Sequence, residues 1–533
     1  MKLASELKVK IGYNKDDIFE AIKKKYHIFP DEILSYEIIK ESIDSRKKPN
    51  IQIVLNVGIK VKKSAYNKAK RLNDILVDRT GLSYNKVNFS GKRPIVVGFG
   101  PSGIFAGLVL ALSGFKPIIL EQGKSVDERQ KDIDKFWQGE KLNEFSNVQF
   151  GEGGAGTFSD GKLLSNVSNA YTKKVINEFV LCGAPKEILY AGNPHIGSDK
   201  LKDVVKNMRN KIISNGGEIL FNTTFDSFEM ECDKITKVNA TNVLTGEKFV
   251  FKTDALILAT GHSAKKVYEF LKDKNCKMKP KPFAMGVRIE GLQEDINKAQ
   301  YGVMQKGLSS ANYKLVTHLS NGRSVFTFCM CPGGQVVASS SENETIVTNG
   351  MSNFARDGKN ANSAVLVNVT PEDFSSDDVL AGMHFQQKYE KLAFELGGSN
   401  YHAPAERVED FLKGEESPTK FSSKITPTYL PGIKIANLKK CLPDFVYKSL
   451  VEALPIFDKK IKNFADKDNL LIGVESRSSA PVQIERDENF MTNLSGLFVV
   501  GEGSGHAGGI TSSGQDGIKC GEKVVEFLKS LTN

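Results

Sequence analysis

Residues 92–123 read KRPIVVGFGPSGIFAGLVLALSGFKPIILEQG, and no other stretch restricts the fold of this chain as severely. A short apolar strand is predicted over Pro94–Val97, followed by a glycine turn, a helix from about Ser102 to Ser113 and a second apolar strand over Pro117–Leu120. Both strands are short apolar runs of the buried kind, as in a sheet covered on both faces. The turn carries G-x-G-x-x-G at Gly98, Gly100 and Gly103. Gly98 permits the tight turn, Gly100 lets backbone approach a pyrophosphate, and Gly103 lets the helix pack on the strand. The helix that starts at Pro101 and Ser102 offers unpaired N–H groups, from Ser102 onward because proline has none, and about half a positive charge to phosphates. Glu121, 23 residues after Gly98, can accept hydrogen bonds from a ribose diol, with Gln122 beside it. A 2′-phosphate would meet the negative charge of Glu121, so the predicted nucleotide is of the ADP type.

At 533 residues the chain exceeds one small domain. Residues 1–88 are predicted to form a small α/β unit. Helices are expected in DDIFEAIKKKYHI and SAYNKAKRLNDILVD, and strands in YEIIKESIDS and NIQIVLNVGI. An outer strand at KLASELKVKI would complete a ferredoxin-like sandwich, and SYNKVNFSGKRP follows as a linker. Beyond the glycine turn, SDKLKDVVKNMRNKIISNG is an amphipathic helix, followed by short alternating strands to about residue 251 and a buried strand, DALILATG. The predicted domains are 1–88, a nucleotide domain made of 89–274 and 471–533, and an inserted α+β substrate or cap domain over 275–470.

A second glycine stretch, GEGSGHAGGITSSGQDG, spans residues 501–517 after the apolar run GLFVV. Too few residues follow it for another complete βαβ unit, which takes about 30 residues. Together with the meander before DALILATG, it fits a single extended dinucleotide gripped at both ends. Here the sequence resembles the flavoprotein superfamily with the glutathione-reductase-type FAD fold. It is similar in particular to the NAD(FAD)-utilising dehydrogenases, a group usually named FAD-dependent protein or FAD-dependent oxidoreductase. The further segments that carry the likeness are QFGEGGAGTFSDGKL (149–163), NPHIGSDKL (193–201), KPFAMGVRIE (281–290), FCMCPGGQVV (328–337) and GVESRSSAPVQIERD (473–487). The resemblance implies an α/β fold: a Rossmann-like FAD domain of βαβ plus β-meander, completed by the C-terminal segment. It implies FAD contacts from Gly151, Gly153, Gly154, Gly156, Thr157 and Lys162 along the pyrophosphate and ring, and from Thr260 and Gly261 beside the nucleotide. Gly501 and Glu502 would hold the ribityl chain; the usual aspartate is a glutamate here. Gly508, Gly509 and Ile510 would face the flavin N1/O2 edge, where a helix after Ser513 would add its dipole.

Several side chains are candidates for the chemistry. His506, inside the flavin loop, is either a proton-transfer group or a loop cap. Arg477 either binds an acidic substrate or pairs with Glu475. Arg288, in GVRIE, is a substrate-anion candidate. His195, His262 and His402 are expected as structural donors. Cys329 and Cys331 form a C-x-C that would point to one face of a strand. The helix after the first fingerprint lacks the C-x-x-x-x-C of glutathione-reductase-like enzymes, so both are expected to be buried strand residues dispensable for flavin reduction.

The seven cysteines are scattered, and no His/Cys spacing suits zinc, so neither a disulfide framework nor a structural metal is expected. No apolar run approaches the eighteen or so residues of a membrane helix, and the N-terminus has no signal-peptide core. A cytoplasmic protein is expected. Residues 1–88 carry 19 Lys/Arg against 11 Asp/Glu, most of the net charge of +10. The leading reading is a flavin oxidoreductase that takes electrons from NADH, NADPH or an organic donor and passes them to a small molecule. No second complete fingerprint marks a dedicated nicotinamide domain. An RNA-modifying flavoprotein using the basic N-terminal unit and a non-enzymatic flavin sensor are the alternatives.

Overall fold

The computed structural model describes residues 1–75, 83–164, 169–302, 306–374, 376–418 and 424–531. In the N-terminal unit, the helix Lys15–Tyr26 starts at Asn14, which closes a capping box with Asp17. It buries Ile18, Phe19 and Ile22 on one face and ends in Lys23, Lys24 and Lys25, which complement its C-terminal dipole. Three strands, Lys2–Val9, Ile33–Asp44 and Gln52–Val61, form an antiparallel sheet with Gln52–Val61 in the middle. This is the strand–helix–strand–strand half of a ferredoxin-like sandwich. The second helix is a single turn, Tyr66–Ala69, shorter than predicted. The chain instead runs back along the first strand: Leu3 donates to the Asn73 carbonyl and Ile75 to that of Met1. The rest of that predicted helix, 76–78, lies outside the described residues.

The predicted linker is a bound strap from residue 83 onward. Tyr84 donates to Glu522 at 3.0 Å, Val87 donates to the Ser113 carbonyl, and the Phe89 ring lies 4.4 Å from that of Phe115. It leads into a five-stranded parallel sheet ordered Leu497–Val499, Leu256–Leu258, Ile95–Val97, Ile118–Leu120 and Glu218–Leu220. The four strands from Leu497–Val499 to Ile118–Leu120 are fully buried apolar triplets, as expected of parallel strands covered on both faces. The helices Pro101–Leu112 and Ile510–Ser530 pack together on one face. Side chains at Gly103 and Gly517 would collide with the backbone of Gly98 and Ser102, so glycine sets both close approaches. The predicted meander is the antiparallel trio Thr223–Glu231, Lys234–Asn242 and Lys248–Lys252.

Residues from 283 onward build a seven-stranded sheet. Its order is Val316–His318, Ser324–Cys331, Asn360–Val369, Phe283–Leu292, Leu470–Glu475, Ala403–Arg407 and Ile433–Ile435. The junction predicted at residue 471 falls inside one of its strands. Leu470–Glu475 is buried throughout, and its apolar run does not reveal which sheet it joins. The chain is thus a mixed α/β fold with a parallel Rossmann-like sheet and further α/β units.

Candidate functional site

A cavity of about 370 Å3 opens where the parallel sheet meets the seven-stranded one. That size is within the range of about 300–1,000 Å3 typical of ligand pockets. Two helices start on its wall. The helix Pro101–Leu112 begins at Gly100 and the helix Ile510–Ser530 at Gly509, and neither N-cap makes a side-chain hydrogen bond. Their first N–H groups therefore remain available to an anion. A Cβ on Gly261, Gly508 or Gly509 would meet nothing within 4 Å, and one on Gly100 would meet only the Gly154 Cα, at 3.7 Å. The cavity wall is thus bare backbone at four of the predicted positions.

The structure brings most of the predicted residues to this cavity: Gly98, Gly100, Pro101, Ser102, Glu121, Gln122, Gly154, Gly156, Lys162, Thr260, Gly261, Glu502, Gly508, Gly509 and Ile510. Gly103, Gly151, Gly153, Thr157 and Gly501 stand one layer behind. Gly153 donates to the Phe99 carbonyl, and Gly151 donates to Glu121 Oε1 at 3.0 Å. Glu121 also accepts from the N–H groups of Phe99 and Gly123, at 2.8 and 2.9 Å. It ties the loop at Gly98–Gly103 to the loop at Gly151–Gly154, and these bonds use three of its roughly four acceptor sites on the cavity wall.

Arg129 is a positioning residue that the sequence reading missed. It is fully buried and donates to the carbonyls of Asn147, Val148, Gly151, Glu152 and Gly154, holding the loop opposite Gly100. Burial pulls its pKa down to about 10. The signal lay in its helix, Val126–Trp137, where the buried residues are Val126, Arg129, Ile133, Phe136 and Trp137. Arg129 occupies a core position of that helical repeat.

The catalytic candidates fare differently. Arg288 is fully buried, and all five of its N–H donors are engaged. Nε and Nη2 grip Glu475 at 2.7 Å each, Nη1 donates to Asn362 Oδ1 and the Cys329 carbonyl, and Nη2 also reaches Asn349. It has no donor left for a substrate anion. Arg477 pairs not with Glu475 but with Glu390, at 2.8 and 2.9 Å, and Glu342, at 3.0 Å. Ser263 and Ser341 accept its remaining two donors. Burial works against ionisation of Glu390, but Arg477 outweighs it and holds the carboxyl at about 2.

His506 lies outside the cavity wall. Its Nε2–H donates to the Ile484 carbonyl at 2.9 Å, and Nδ1 accepts from Gln483, so the ring caps the loop. Burial lowers its pKa. His262 is on the wall, with Nε2–H on the Arg477 carbonyl and Nδ1 beside the Ser263 hydroxyl. Burial holds it neutral, at about 4. His195 donates to the Phe354 carbonyl and stacks on that ring. Glu502 faces the cavity, and its carboxyl makes no hydrogen bond among the described residues. Burial raises its pKa to about 7, opposed by Lys281.

Residues 282–478 match the family model for the FAD-dependent protein, C-terminal domain-like, and residues 1–60 match a domain of unknown function, DUF8436. A protein of Clostridium beijerinckii, named only as an uncharacterized protein, is 45% identical over 515 residues, covering 95% of each chain. The chain belongs to the family of that clostridial protein. It therefore carries an FAD-dependent-protein domain within a fold of the Rossmann-like kind. Among solved structures, it is similar to the glycerol-3-phosphate dehydrogenase from Bacillus halodurans complexed with FAD, with 13% identity and a TM-score of 0.38. That match covers 84% of this chain and 66% of the other, just under two thirds of its length. A geranylgeranyl bacteriochlorophyll reductase-like protein from Thermoplasma acidophilum gives 12% identity, a TM-score of 0.38 and coverage of 83% and 79%. The E. coli quinol fumarate reductase FrdA gives 12% identity, a TM-score of 0.37 and coverage of 85% and 72%. No helix among the described residues is long and apolar enough to cross a membrane.

Proposed function

We propose that this chain is an FAD-dependent oxidoreductase that passes electrons from NADH, NADPH or an organic donor to a small molecule. The observation that carries the reading is the pair of uncapped helix N-termini, at Gly100 and Gly509, on one cavity. One dinucleotide with a pyrophosphate at one end and a polar ring edge at the other suits both. The polar groups fit FAD: N–H groups at the start of the helix Pro101–Leu112 donate to the pyrophosphate, the open acceptor site of Glu121 takes the adenosine ribose, and Glu502 takes a ribityl hydroxyl. FAD, when bound, supplies the two-electron transfer.

The protein's own groups do the rest. The start of Ile510–Ser530 stabilises negative charge at the end of the cavity lined by Gly508 and Gly509. Lys162, held against Asp160 at 3.1 Å, places a positive charge on the same wall. With its pKa near 7, Glu502 can donate a hydrogen bond or accept one. The saturated arginines Arg288 and Arg477 fix the wall opposite, and a small substrate enters between the two sheets.

The test is to denature the purified protein and chromatograph the released flavin. FAD is expected. FMN, or a colourless protein that does not take up FAD, would refute the reading. Gly100→Val should abolish FAD retention, because the branched side chain would fill the gap between Gly100 and Gly154. Anaerobic mixing with NADH and NADPH then identifies the donor.

A further inference from the structure

The strand Ser324–Cys331 breaks its register against Asn360–Val369 between Phe328, opposite Ala364, and Cys331, opposite Asn362. Cys329 sits in this bulge with a left-handed φ of 44°. A bulge re-aims side chains, and here it turns Cys329 into the cavity wall beside Lys162, Asn349 and Glu475. Cys331 is fully buried behind it and donates its S–H to the Cys329 carbonyl at 3.2 Å. Two cations hold this corner: Arg288 donates to the Cys329 carbonyl at 3.2 Å and Lys162 Nζ to the Met330 carbonyl. Both cysteines are free thiols.

Chemistry separates this pair from the other cysteines. Burial pushes Cys182 and Cys276 up to about 11 and Cys441 up to about 12, the behaviour of inert core thiols. Cys329 moves the other way, downward, because Cys331 and the cations Lys162 and Arg288 stand near its sulfur, against the effect of burial. Cys331 is correspondingly raised. A sulfur on the cavity wall that is shifted toward its thiolate form, with a more basic thiol buried behind it, is the arrangement of an attacking and a resolving sulfur.

We infer that Cys329 and Cys331 form a dithiol–disulfide pair that exchanges two electrons with FAD in this cavity. The inference rests on the FAD reading above. In one direction the Cys329–Cys331 S–S bond breaks. The sulfurs take up two electrons and two protons, which bound FAD in its reduced form would supply on returning to its oxidised form, and two thiols result. A small-molecule disulfide is the class of oxidant that restores the bond. The Cys329 thiolate attacks one of its sulfurs and releases the first thiolate. Cys331 then displaces the second, giving up its proton, so one disulfide becomes two thiols. This assigns the pair a role that the missing C-x-x-x-x-C had argued against.

The test is an anaerobic dithionite titration of the FAD-loaded protein. The protein is first treated with hydroxyethyl disulfide and then desalted. Four electrons per FAD are expected for the wild type, against two for Cys329→Ser and for Cys331→Ser. In parallel, wild-type thiols counted after denaturation should fall by two on oxidation and return after photoreduction of the flavin. The peptide containing residues 329–331 should be lighter by two hydrogens in the oxidised sample. The thiol count and peptide mass need no variant. FAD present with only two electrons in the wild type and an unchanged thiol count would overturn this inference alone. Protein that takes up no FAD would overturn the FAD reading and the inference with it.

Discussion

Glu502→Gln gives the sharpest reading of the cavity. The Glu502 carboxyl has no hydrogen-bond partner among the described residues, and burial raises it to about 7 from an unfolded value of 4.5. Below about pH 4.5 the carboxyl is protonated in both the folded and unfolded chains, and its contribution to stability is fully present. Between 4.5 and 7 the folded chain keeps a proton that the unfolded chain has lost, so stability falls as pH rises. Above 7 the contribution is gone. Because the half-buried carboxyl faces the cavity, solvent screens it, and the full loss is at most about 3 kcal/mol, of which at most about 2.5 kcal/mol falls between about pH 5 and pH 8. Glutamine does not titrate, so the difference between the two proteins isolates this group from every other carboxyl. The assay is urea unfolding of the apoprotein, followed through the single tryptophan, Trp137, which is buried with its indole N–H on the Ala338 carbonyl. The midpoint of the wild type should fall relative to that of Glu502→Gln as pH rises, with unchanged slope. A difference that stays flat from pH 5 to pH 8, or one that favours the wild type at high pH, would refute the claim that this half-buried carboxyl faces the cavity without a protein partner.

Arg477→Met should destabilise the protein by about 3–5 kcal/mol, because it strands Glu390 in the interior. Thermal unfolding of Arg477→Met and of the double variant with Glu390→Gln checks this, the double variant recovering part of the loss. A chain starting near Ser90 should retain FAD, measured by flavin absorbance. It loses Phe89 from the Phe115 contact and Ile51 from the large core, so its soluble yield should fall. The basic N-terminal unit should bind tRNA weakly at about 50 mM salt and without sequence preference. Tight, selective binding that drops about 10³-fold by 200 mM salt would instead favour an RNA-modifying role.

The parts of the site that could be read from sequence are those built by neighbours along the chain. The helix start at Gly98–Gly103 needs only a strand before it and a helix after it, and the sequence shows both. The second glycine run was legible as the far end of the site because no room remains for a further βαβ unit, but its helix begins at Ile510 rather than after Ser513 as expected. What sequence did not reveal is which buried charge meets which. Glu475 lies two residues from Arg477, and a local reading pairs them. In an extended strand these two side chains share a face. Instead, the regular strand Leu470–Glu475 ends at Glu475, and each side chain meets a different layer. Likewise, polar alternation in GVRIE suggests a strand with one open face. Phe283–Leu292 is central to its sheet and buried at both Arg288 and Glu290, so its polar residues face a second layer of protein. Glu290 accordingly accepts from Asn360 and Thr428 rather than from water. The bulge at Cys329 has no local signal, because register against a distant strand creates it.

This sorting bears on how a substrate is held. Arginine is the residue usually sought when an acidic substrate is suspected, and sequence offers Arg288 and Arg477. Each presents five N–H donors, and each already has five acceptors inside the protein. Freeing a donor that grips Glu475 or Glu390 would leave that carboxylate short of a partner in a buried setting, and freeing one of the others would strand a buried carbonyl, amide or hydroxyl oxygen, at a cost of about 1–3 kcal/mol. The anion-binding capacity of this cavity therefore resides in backbone N–H groups at two helix starts and in Lys162. Backbone donors are fixed in direction and do not titrate, so they suit a permanently bound phosphate or ring edge. Lys162 stands where the Cys329 wall begins, and Cys329 is the one cysteine whose pKa is moved down rather than up. The glycine end of the cavity is built by neighbours along the chain; the wall at Cys329 depends on contacts between distant strands, and only the folded chain reveals it.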